Sequence, residues 1–550
     1  MSSSCVMWPL ILRICHKLAW RQYGHPQILL RCREHAWRQN DMSSRGVLLL
    51  ALLLWGCAGL PQYSHPEPEL HPQASAASPL ALWAEPLLKQ HPGQAGLVLL
   101  GSGTDAFLAR LLLVAGTSER LDLQYYLYHN DLTGKVFTWA LLQAADRGVR
   151  VRLLLDDMAT RGADNELRLL NRHPNIDIRL FNPFLRDYPR DMQFLTRYGV
   201  STRRMHNKAM IADNTLAIAG GRNIGDEYFD AARNAVVFGD LDVLTLGPVV
   251  DDASTEFDRY WNSGLAVPVE YVINDGEAQD ETALNTLRLQ LQHWLQSNRQ
   301  HPYVQALQAR ALNLAEHYEQ RLFWGKAYVV ADAPDKIRSR HYQSPLFGNL
   351  ITLLENAQQE VLLVSPYFVP GDEGVEFLAA LVARGIHVQV LTNSLASTDV
   401  AAVHSAYKHY RAALLRAGVE LYELRPDSQA AGEHRRWTGS SSASLHAKVL
   451  VIDQRYFYVG SMNLDPRSLR ENTEMGVLFE QPQLGREASL NLQANLAQES
   501  YRLLLQGDEL RWQEQRTDGT PQIYHHEPHA SLWRRLQSWV LGILPIESEL

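Results

Sequence analysis

Two short stretches of this 550-residue chain repeat one chemistry-bearing pattern. The first runs Met205-His206-Asn207-Lys208 through Asp213 to Gly220-Gly221-Arg222-Asn223, and the second Leu445-His446-Ala447-Lys448 through Asp453 to Gly460-Ser461-Met462-Asn463. The two His stand 240 residues apart, as do the two Lys, the two Asp and the two Asn. A single His-x-Lys says little; two copies with every interval preserved point to one site built twice. Imidazole serves as nucleophile or general acid and base near neutral pH. An ammonium two residues further on is expensive to bury without an anion to meet it. Converging on one cleft, His206, Lys208 and Asn223 with His446, Lys448 and Asn463 would surround a phosphate with donors. The chemistry implied is group transfer at a phosphodiester. One neutral imidazole attacks phosphorus, while the other, protonated, gives its proton to the leaving oxygen and then acts as base toward the acceptor. No Cys/His metal spacing is present, and the two Lys supply the positive charge a cation would otherwise bring.

These residues need rigid elements beneath them. Met210–Ala212 and Val449–Ile452 read as strands, which sets His and Lys of each copy on one face because side chains alternate with period two. Asp213 and Asp453 have the opposite parity and open the turns Asp-Asn-Thr and Asp-Gln-Arg, where a turn or ion-pair role is expected. Gly220-Gly221 and Gly460-Ser461 read as tight loops whose N–H groups, with the Asn amide, can reach an anion. Upstream, Leu121-Asp-Leu-Gln-Tyr, the apolar run Val136–Ala145 and Arg147-Gly-Val-Arg-Val answer to Val361-Leu-Leu-Val-Ser, Val375–Val382 and Arg384-Gly-Ile-His-Val. Strand, helix, strand, with Gly148 and Gly385 just past each helix, is a βαβ unit. Thr282–Arg321, lacking Gly and holding only Pro302, reads as a helical connector. The fold class expected is α/β, with two similar domains packed face to face.

The length exceeds the roughly 250–300 residues at which one core stops growing. With 46% hydrophobic and 20% charged residues the chain is neither disordered nor fibrous. A net charge of −8 argues against a protein that coats nucleic acid. Four cysteines exclude a disulfide framework, and three of them (Cys5, Cys15 and Cys32) fall in residues 1–41, a basic, Trp-containing stretch that reads as an upstream artefact or leader. Residues 42–56 hold Arg45, the apolar run Val47–Trp55 and a small residue before Cys57, which reads as a signal peptide. The spacing resembles the lipobox of bacterial lipoproteins, with Cys57 the lipidated residue. Removing both segments leaves 45 Lys and Arg against 58 Asp and Glu, a formal charge of −13. Residues 57–90 read as a Pro/Ser/Ala-rich spacer. Residues 91–270 then form domain 1, 271–325 the connector, 326–510 domain 2 and 511–550 a tail. In that tail Leu532-Trp533-Arg534-Arg535-Leu536, Trp539 and Ile543 mix Trp, Leu and Arg as membrane-interface helices do.

The paired pattern H-x-K-x4-D-x6-G-[GS]-x-x-N resembles the signature of the phospholipase D superfamily. The longer strings beginning at Gly220, Ser365-Pro-Tyr-Phe, Leu391-Thr-Asn-Ser and Gly460-Ser-Met-Asn-Leu-Asp-Pro-Arg-Ser resemble bacterial cardiolipin synthases, nearest the C type, from about residue 90 onward. The resemblance implies mixed sheets flanked by helices, a pseudo-dimer of the two domains with the active site at their interface, and a phosphohistidine intermediate. Carried over residue by residue, His206 and His446 are nucleophile and acid, Lys208, Lys448, Asn223 and Asn463 bind phosphate, and Asp213 and Asp453 complete the motifs. Family habit favours His206 as nucleophile, while the near-symmetry of the motifs gives no vote. A carboxylate orients each His in the family. Glu474, 28 residues after His446, fits the second; the equivalent place after His206 is Asn234, so Asp242 is the choice for the first, with Asp240 as runner-up. The function implied is that of a metal-independent, cofactor-free phosphatidyltransferase making cardiolipin from phosphatidylglycerol and phosphatidylethanolamine. Its partners would be those lipids and the membrane surface, not nucleic acid, with any accessory protein left open. Its place would be the bacterial cell envelope, lipid-anchored on the periplasmic side. Two other readings stay open, a phospholipase D releasing phosphatidic acid and a non-catalytic lipid-binding lipoprotein.

Overall fold

The computed structural model describes residues 67–74, 77–197, 199–232, 237–273, 282–339, 342–426, 444–516 and 518–543. The expected leader, signal peptide and Cys57 lie outside the described residues. Among the described residues, no helix is long and apolar enough to cross a membrane.

Unbroken apolar runs such as Leu97–Leu100 and Val361–Val364 suit strands covered on both faces, and both halves of the chain are built on such strands. The first half supplies β1 (Ala95–Leu100), β2 (Arg120–Tyr125), β3 (Arg150–Asp156), β4 (Ile176–Phe181), β5 (Ala209–Ala212), β6 (Leu216–Gly220), β7 (Phe238–Gly239), β8 (Asp242–Leu246) and β9 (Ala266–Pro268). In it β2, β3 and β4 run parallel. From the other edge of β2 the sheet continues antiparallel through β5, β6, β8 and β1, and β9 closes on β4. The second half supplies β10 (Phe323–Ala331), β11 (Glu360–Val364), β12 (His387–Asn393), β13 (Glu420–Leu424), β14 (Ser444–Leu445), β15 (Val449–Ile452), β16 (Tyr456–Gly460), β17 (Met475–Glu480), β18 (Ser500–Gln506), β19 (Glu509–Gln515) and β20 (Pro521–Tyr524). Its parallel trio is β11, β12 and β13, and β15, β16 and β17 follow antiparallel from β11. The two sheets share one strand: Phe323–Gly325 of β10 pair with β1, and Lys326–Ala331 pair with β17.

The helices that matter here are α1 (Pro79–Gln90), α2 (Gly103–Gly116), α3 (Leu132–Asp146), α4 (Pro248–Trp261), α5 (Thr282–Ser297), α6 (Pro302–Gln320), α7 (Gly371–Ala383), α8 (Ala401–Tyr407), α9 (Pro482–Glu499) and α10 (Leu532–Leu541). Helices α3 and α7 are the crossovers expected from the repeat. Each ends before a glycine at positive φ, Gly148 at 97° and Gly385 at 86°, where a side chain would be strained. One apolar cluster passes through both halves, joining Leu99, Ile211 and Phe257 to Ala447, Val477 and Leu492. A second cluster fills the space behind the parallel strands of the second half.

Two segments differ from the sequence reading. The expected spacer contains α1, because Ser78 caps Ala81 N–H at 3.1 Å, Pro79 starts the helix and Leu80 and Ala84 are buried. The expected tail begins inside β19, since β18, β19 and β20 pair in turn beyond β13 and extend the second sheet. Residues 183–202 belong to a different unit from the rest of the described residues. Within it Gln193 bonds both the N–H and the carbonyl of Leu185, at 2.9 and 2.8 Å.

Candidate active site

Each histidine is delivered by its own half and clamped by the other. His206 N–H donates to the Thr473 carbonyl at 2.9 Å, and His446 N–H donates to the Gly239 carbonyl at 2.7 Å. The short parallel pair β7–β14 and the bridge Met205–Thr473 are the two equivalent seams. Because the backbone is tied across the seam at this point, His206–Lys208 and His446–Lys448 form links just ahead of β5 and β15 rather than parts of those strands. The residue before each histidine is also gripped from below. Asp156, at the end of β3, accepts from Met205 N–H at 2.8 Å, and Asn393, at the end of β12, accepts from Leu445 N–H at 3.0 Å. These two were not singled out from sequence, although the 237-residue offset between Arg147 and Arg384 also relates Asp156 to Asn393.

The residue after each seam is a carboxylate, and the pairing is crossed. His206 Nδ1 lies 2.9 Å from Glu474 Oε2, and His446 Nδ1 lies 2.5 Å from Asp240 Oδ2. Glu474 therefore serves the first histidine and not the second, as the sequence spacing had suggested. Asp240, the runner-up, replaces Asp242 and serves His446. The reason is the seam itself, because a half cannot reach its own histidine from a strand that pairs with the other half. The equal-distance rule failed through a difference in loop length: 17 residues separate Asn223 from Asp240 and 11 separate Asn463 from Glu474. Asp242 is buried between two cations, 2.9 Å from Arg110 Nη2 and 3.5 Å from Arg222 Nη1.

The Gly221/Ser461 difference matches the carboxylates. Ser461 Oγ donates to Glu474 Oε2 at 2.5 Å, and Ser468 Oγ donates to Oε1 at 2.8 Å, fixing both oxygens of the longer acid. Asp240 is one methylene shorter and comes closer. A Cβ at Gly221 would collide with its carboxylate, so glycine is what this half-site admits.

Both imidazoles are buried and neutral. Burial pushes His206 down to about 4, with Glu474 opposing and Lys208 adding to the shift. It pushes His446 down to about 3, with Lys448 adding and Asp240 opposing. Burial alone would raise Glu474 and Asp240, but the adjoining imidazoles and ammoniums hold both below the usual carboxylate range. An ionised carboxylate only accepts, so each Nδ1 carries the proton and each Nε2 keeps a lone pair. Lys208 and Lys448 are buried and donate to the carbonyls of His206 and His446 respectively. Burial lowers Lys208 well below the ordinary lysine value and Lys448 to about 8. Aromatic rings pack around both histidines: Tyr126 meets His206 edge-on at 5.1 Å and lies 5.4 Å from Lys208 Nζ. Tyr228 and Phe238 stand 5.4 and 5.0 Å from His446.

A family model described as cardiolipin synthase, PLD-like domain, matches this chain twice, over residues 112–261 and 350–496. The chain belongs to the phospholipase D superfamily. Cardiolipin synthase C of Escherichia coli (strain K12) is 39% identical over 469 residues, covering 84% of this chain and 98% of that protein. An uncharacterised protein of Helicobacter pylori (strain J99) is 34% identical over 504 residues, 91% of this chain and 98% of its own length. Among solved structures, phosphatidylserine synthase of Haemophilus influenzae Rd KW20 shares the fold. Its TM-score is 0.52 at 12% identity, covering 85% of this chain and all of that one. The family model thus matches once in each half of this chain.

The remaining motif residues sit apart from the reacting centre or are already engaged. Asp213, at the far end of β5 from His206, accepts from the N–H groups of Ser118, Glu119 and Arg120, each at 2.9 Å. Asp453 does the same for Gln358, Gln359 and Glu360. Both pin the entry to the neighbouring strand, which fits the turn role expected from their parity and corrects only their grouping with the motif's catalytic residues. Asn223 accepts from Leu127 N–H and donates to the Tyr228 hydroxyl, each at 3.0 Å, whereas Asn463 Oδ1 is buried with no hydrogen-bond partner among the described residues. The N–H groups of Gly221 and Ser461 donate to the Leu241 and Met475 carbonyls and do not face an anion. Among the described residues, His129, Asp131 and Glu227 are the group close enough to hold a metal ion. Both Asp131 oxygens there already accept from the N–H groups of Gly134 and Asp226.

Proposed function

We propose that this phosphatidyltransferase of the phospholipase D superfamily moves a phosphatidyl group between two phospholipids, in the manner of a cardiolipin synthase. The crossed pairs of His206 with Glu474 and His446 with Asp240 are the main support for this reading. They set two neutral imidazoles with free Nε2 atoms beside two buried ammoniums, an arrangement suited to a phosphodiester anion. Lys208 and Lys448 hold the phosphate. Nε2 of His206 attacks phosphorus, forming the N–P bond as the P–O bond to the headgroup breaks. His446, protonated once the anion lies beside it, gives its proton to the departing oxygen. A hydroxyl of the second lipid then loses its proton to Nε2 of His446 and attacks phosphorus. The N–P bond breaks, His206 is freed as neutral imidazole, and His446 keeps the acceptor's proton, ready for the next leaving oxygen. Phosphatidylethanolamine supplies the phosphatidyl group and phosphatidylglycerol the hydroxyl, so ethanolamine leaves as cardiolipin forms. The protein works at the bacterial envelope, tethered on the periplasmic side by lipid on Cys57. Labelling with a palmitate analogue, lost in Cys57→Ser, tests the tether.

The deciding experiment gives purified protein phosphatidylglycerol with and without phosphatidylethanolamine and follows products by mass spectrometry. Cardiolipin formed only with both lipids, together with ethanolamine, is the expected result. Phosphatidic acid alone would make the protein a hydrolase, and no turnover would leave a lipid-binding role. The covalent intermediate should map to His206, and chelators should leave the rate unchanged.

A further inference from the structure

The paired arginines of α10 turn toward the protein. Arg534 Nη1 lies 2.9, 3.0 and 2.9 Å from the carbonyls of Leu395, Ala396 and Thr398. Arg535 donates to the Glu527 carbonyl at 2.8 Å. Ser538 is buried, accepts from Ser405 Oγ at 3.1 Å, and its carbonyl accepts from Lys408 Nζ at 3.1 Å. The opposite stripe consists of Leu532, Trp533, Leu536, Trp539, Val540 and Ile543, all exposed, with Leu532 at 83%, Trp533 at 72% and Trp539 at 61%. A surface helix ordinarily buries its apolar side. This one is fastened by its polar side and presents the apolar side outward.

The chemistry of the face selects its occupant. Two tryptophans, each an apolar ring with one N–H, suit the boundary between water and acyl chains. The helix carries two half-exposed arginines and no acidic residue, a net positive element complementary to anionic headgroups. The neighbouring acid, Glu527, is neutralised by Arg411 at 2.7 Å. The fastening also leads to the active site. Leu395–Thr398 belong to the loop after β12, whose Ser397 Oγ donates to Asn393 Oδ1 at 3.0 Å. Asn393 accepts from Leu445 N–H and donates to the Leu445 carbonyl, at 3.0 and 2.9 Å, one residue before His446.

We propose that the outward face of α10 seats in the interface of an anionic phospholipid bilayer, and that Arg534 ties this seat to the loop holding the second half-site. The turnover arm of the test rests on the transferase reading; the seating does not.

The test uses the full chain with Cys57→Ser, so that no lipid anchor masks the helix, and vesicles of phosphatidylglycerol and phosphatidylethanolamine carrying brominated acyl chains. Tryptophan quenching should fall in Trp533→Phe/Trp539→Phe, which keeps the face apolar. Leu532→Ser/Leu536→Ser should weaken vesicle binding and vesicle turnover by roughly tenfold, while turnover of short-chain monomeric phospholipid stays within about twofold. Arg534→Gln should keep vesicle binding within about twofold but lower vesicle turnover. Equal quenching in wild type and the Phe variant, or unchanged binding of the Ser variant, overturns the seat. Unchanged vesicle turnover of Arg534→Gln overturns the tie to the loop, as does an equal fall on monomeric lipid. Quenching without product from any lipid would sink the transferase reading and leave the seat standing.

Discussion

His206 and Glu474 lie 268 residues apart in sequence and 2.9 Å apart in space. Neither half of the chain therefore holds a complete histidine–carboxylate pair of its own. Glu474→Gln keeps the shape but no longer demands a proton on Nδ1, so kcat should fall by roughly 10³- to 10⁴-fold with the melting temperature little changed. Asp240→Asn should do the same through His446. Imidazole NMR decides the pairing: Glu474→Gln should move the resonances of His206 and leave those of His446 in place.

The small residues under the carboxylates should not be exchangeable. Gly221→Ser puts a Cβ into the Asp240 carboxylate and should lower kcat by about 10²-fold or more through displaced His446. Ser461→Gly removes only one of the two hydroxyls on Glu474 and should cost about tenfold. Steady-state kinetics on the two variants tests the asymmetry; equal losses would contradict it.

Two pH effects follow from burial. Lys448, at about 8, loses its charge as pH rises through that value, so kcat/KM should fall on the alkaline side, and Lys448→Arg should move that limb upward. Both histidines are depressed from 6.5 in the folded chain, so the unfolded chain takes up their protons first as pH falls. Their contribution to stability is complete above about 6.5 and is lost progressively toward about 4 and about 3, with a slope of up to about 1.4 kcal/mol per pH unit for each proton. Urea unfolding between about pH 5 and about pH 7 should show the slope, and His206→Gln/His446→Gln should flatten it.

Asp213, Asp453 and Asp242 should behave as supports. Asp213→Ala strands three backbone N–H groups and should cost about 1–3 kcal/mol in chemical denaturation, while kcat of the folded fraction stays near wild type. Asp242→Asn leaves Arg110 and Arg222 buried without their anion, and a loss of about 3–5 kcal/mol is expected. A specific fall in kcat without loss of stability would return either residue to the reacting centre.

Much of the architecture was legible because the repeat is written in side chains that cannot drift: the His-x-Lys pairs, the Arg-Gly helix ends and the apolar strands. The crossed pairing was not. Sequence distance from a histidine carries no sign of which half its partner comes from, and the longer loop before Asp240 hid the correspondence with Glu474. Asp156 and Asn393 escaped notice because an acid and an amide gripping the same backbone position do not look alike in sequence. The inward arginines of α10 were equally hidden, since a helical stripe shows which residues share a face but not which face meets the protein.

Strand β10, one part of which continues the first sheet while the other continues the second, makes the two half-sites a matter of covalent continuity rather than of encounter. A chain cut between α5 and α6 would yield fragments that each carry a histidine lacking its carboxylate. Any activity they recover would scale with the product of their concentrations, whereas in the intact chain the pairing of each histidine with its carboxylate does not depend on concentration. The fusion thus fixes the stoichiometry of the catalytic pair at one to one and lets each half diverge, as Gly221 and Ser461 already have.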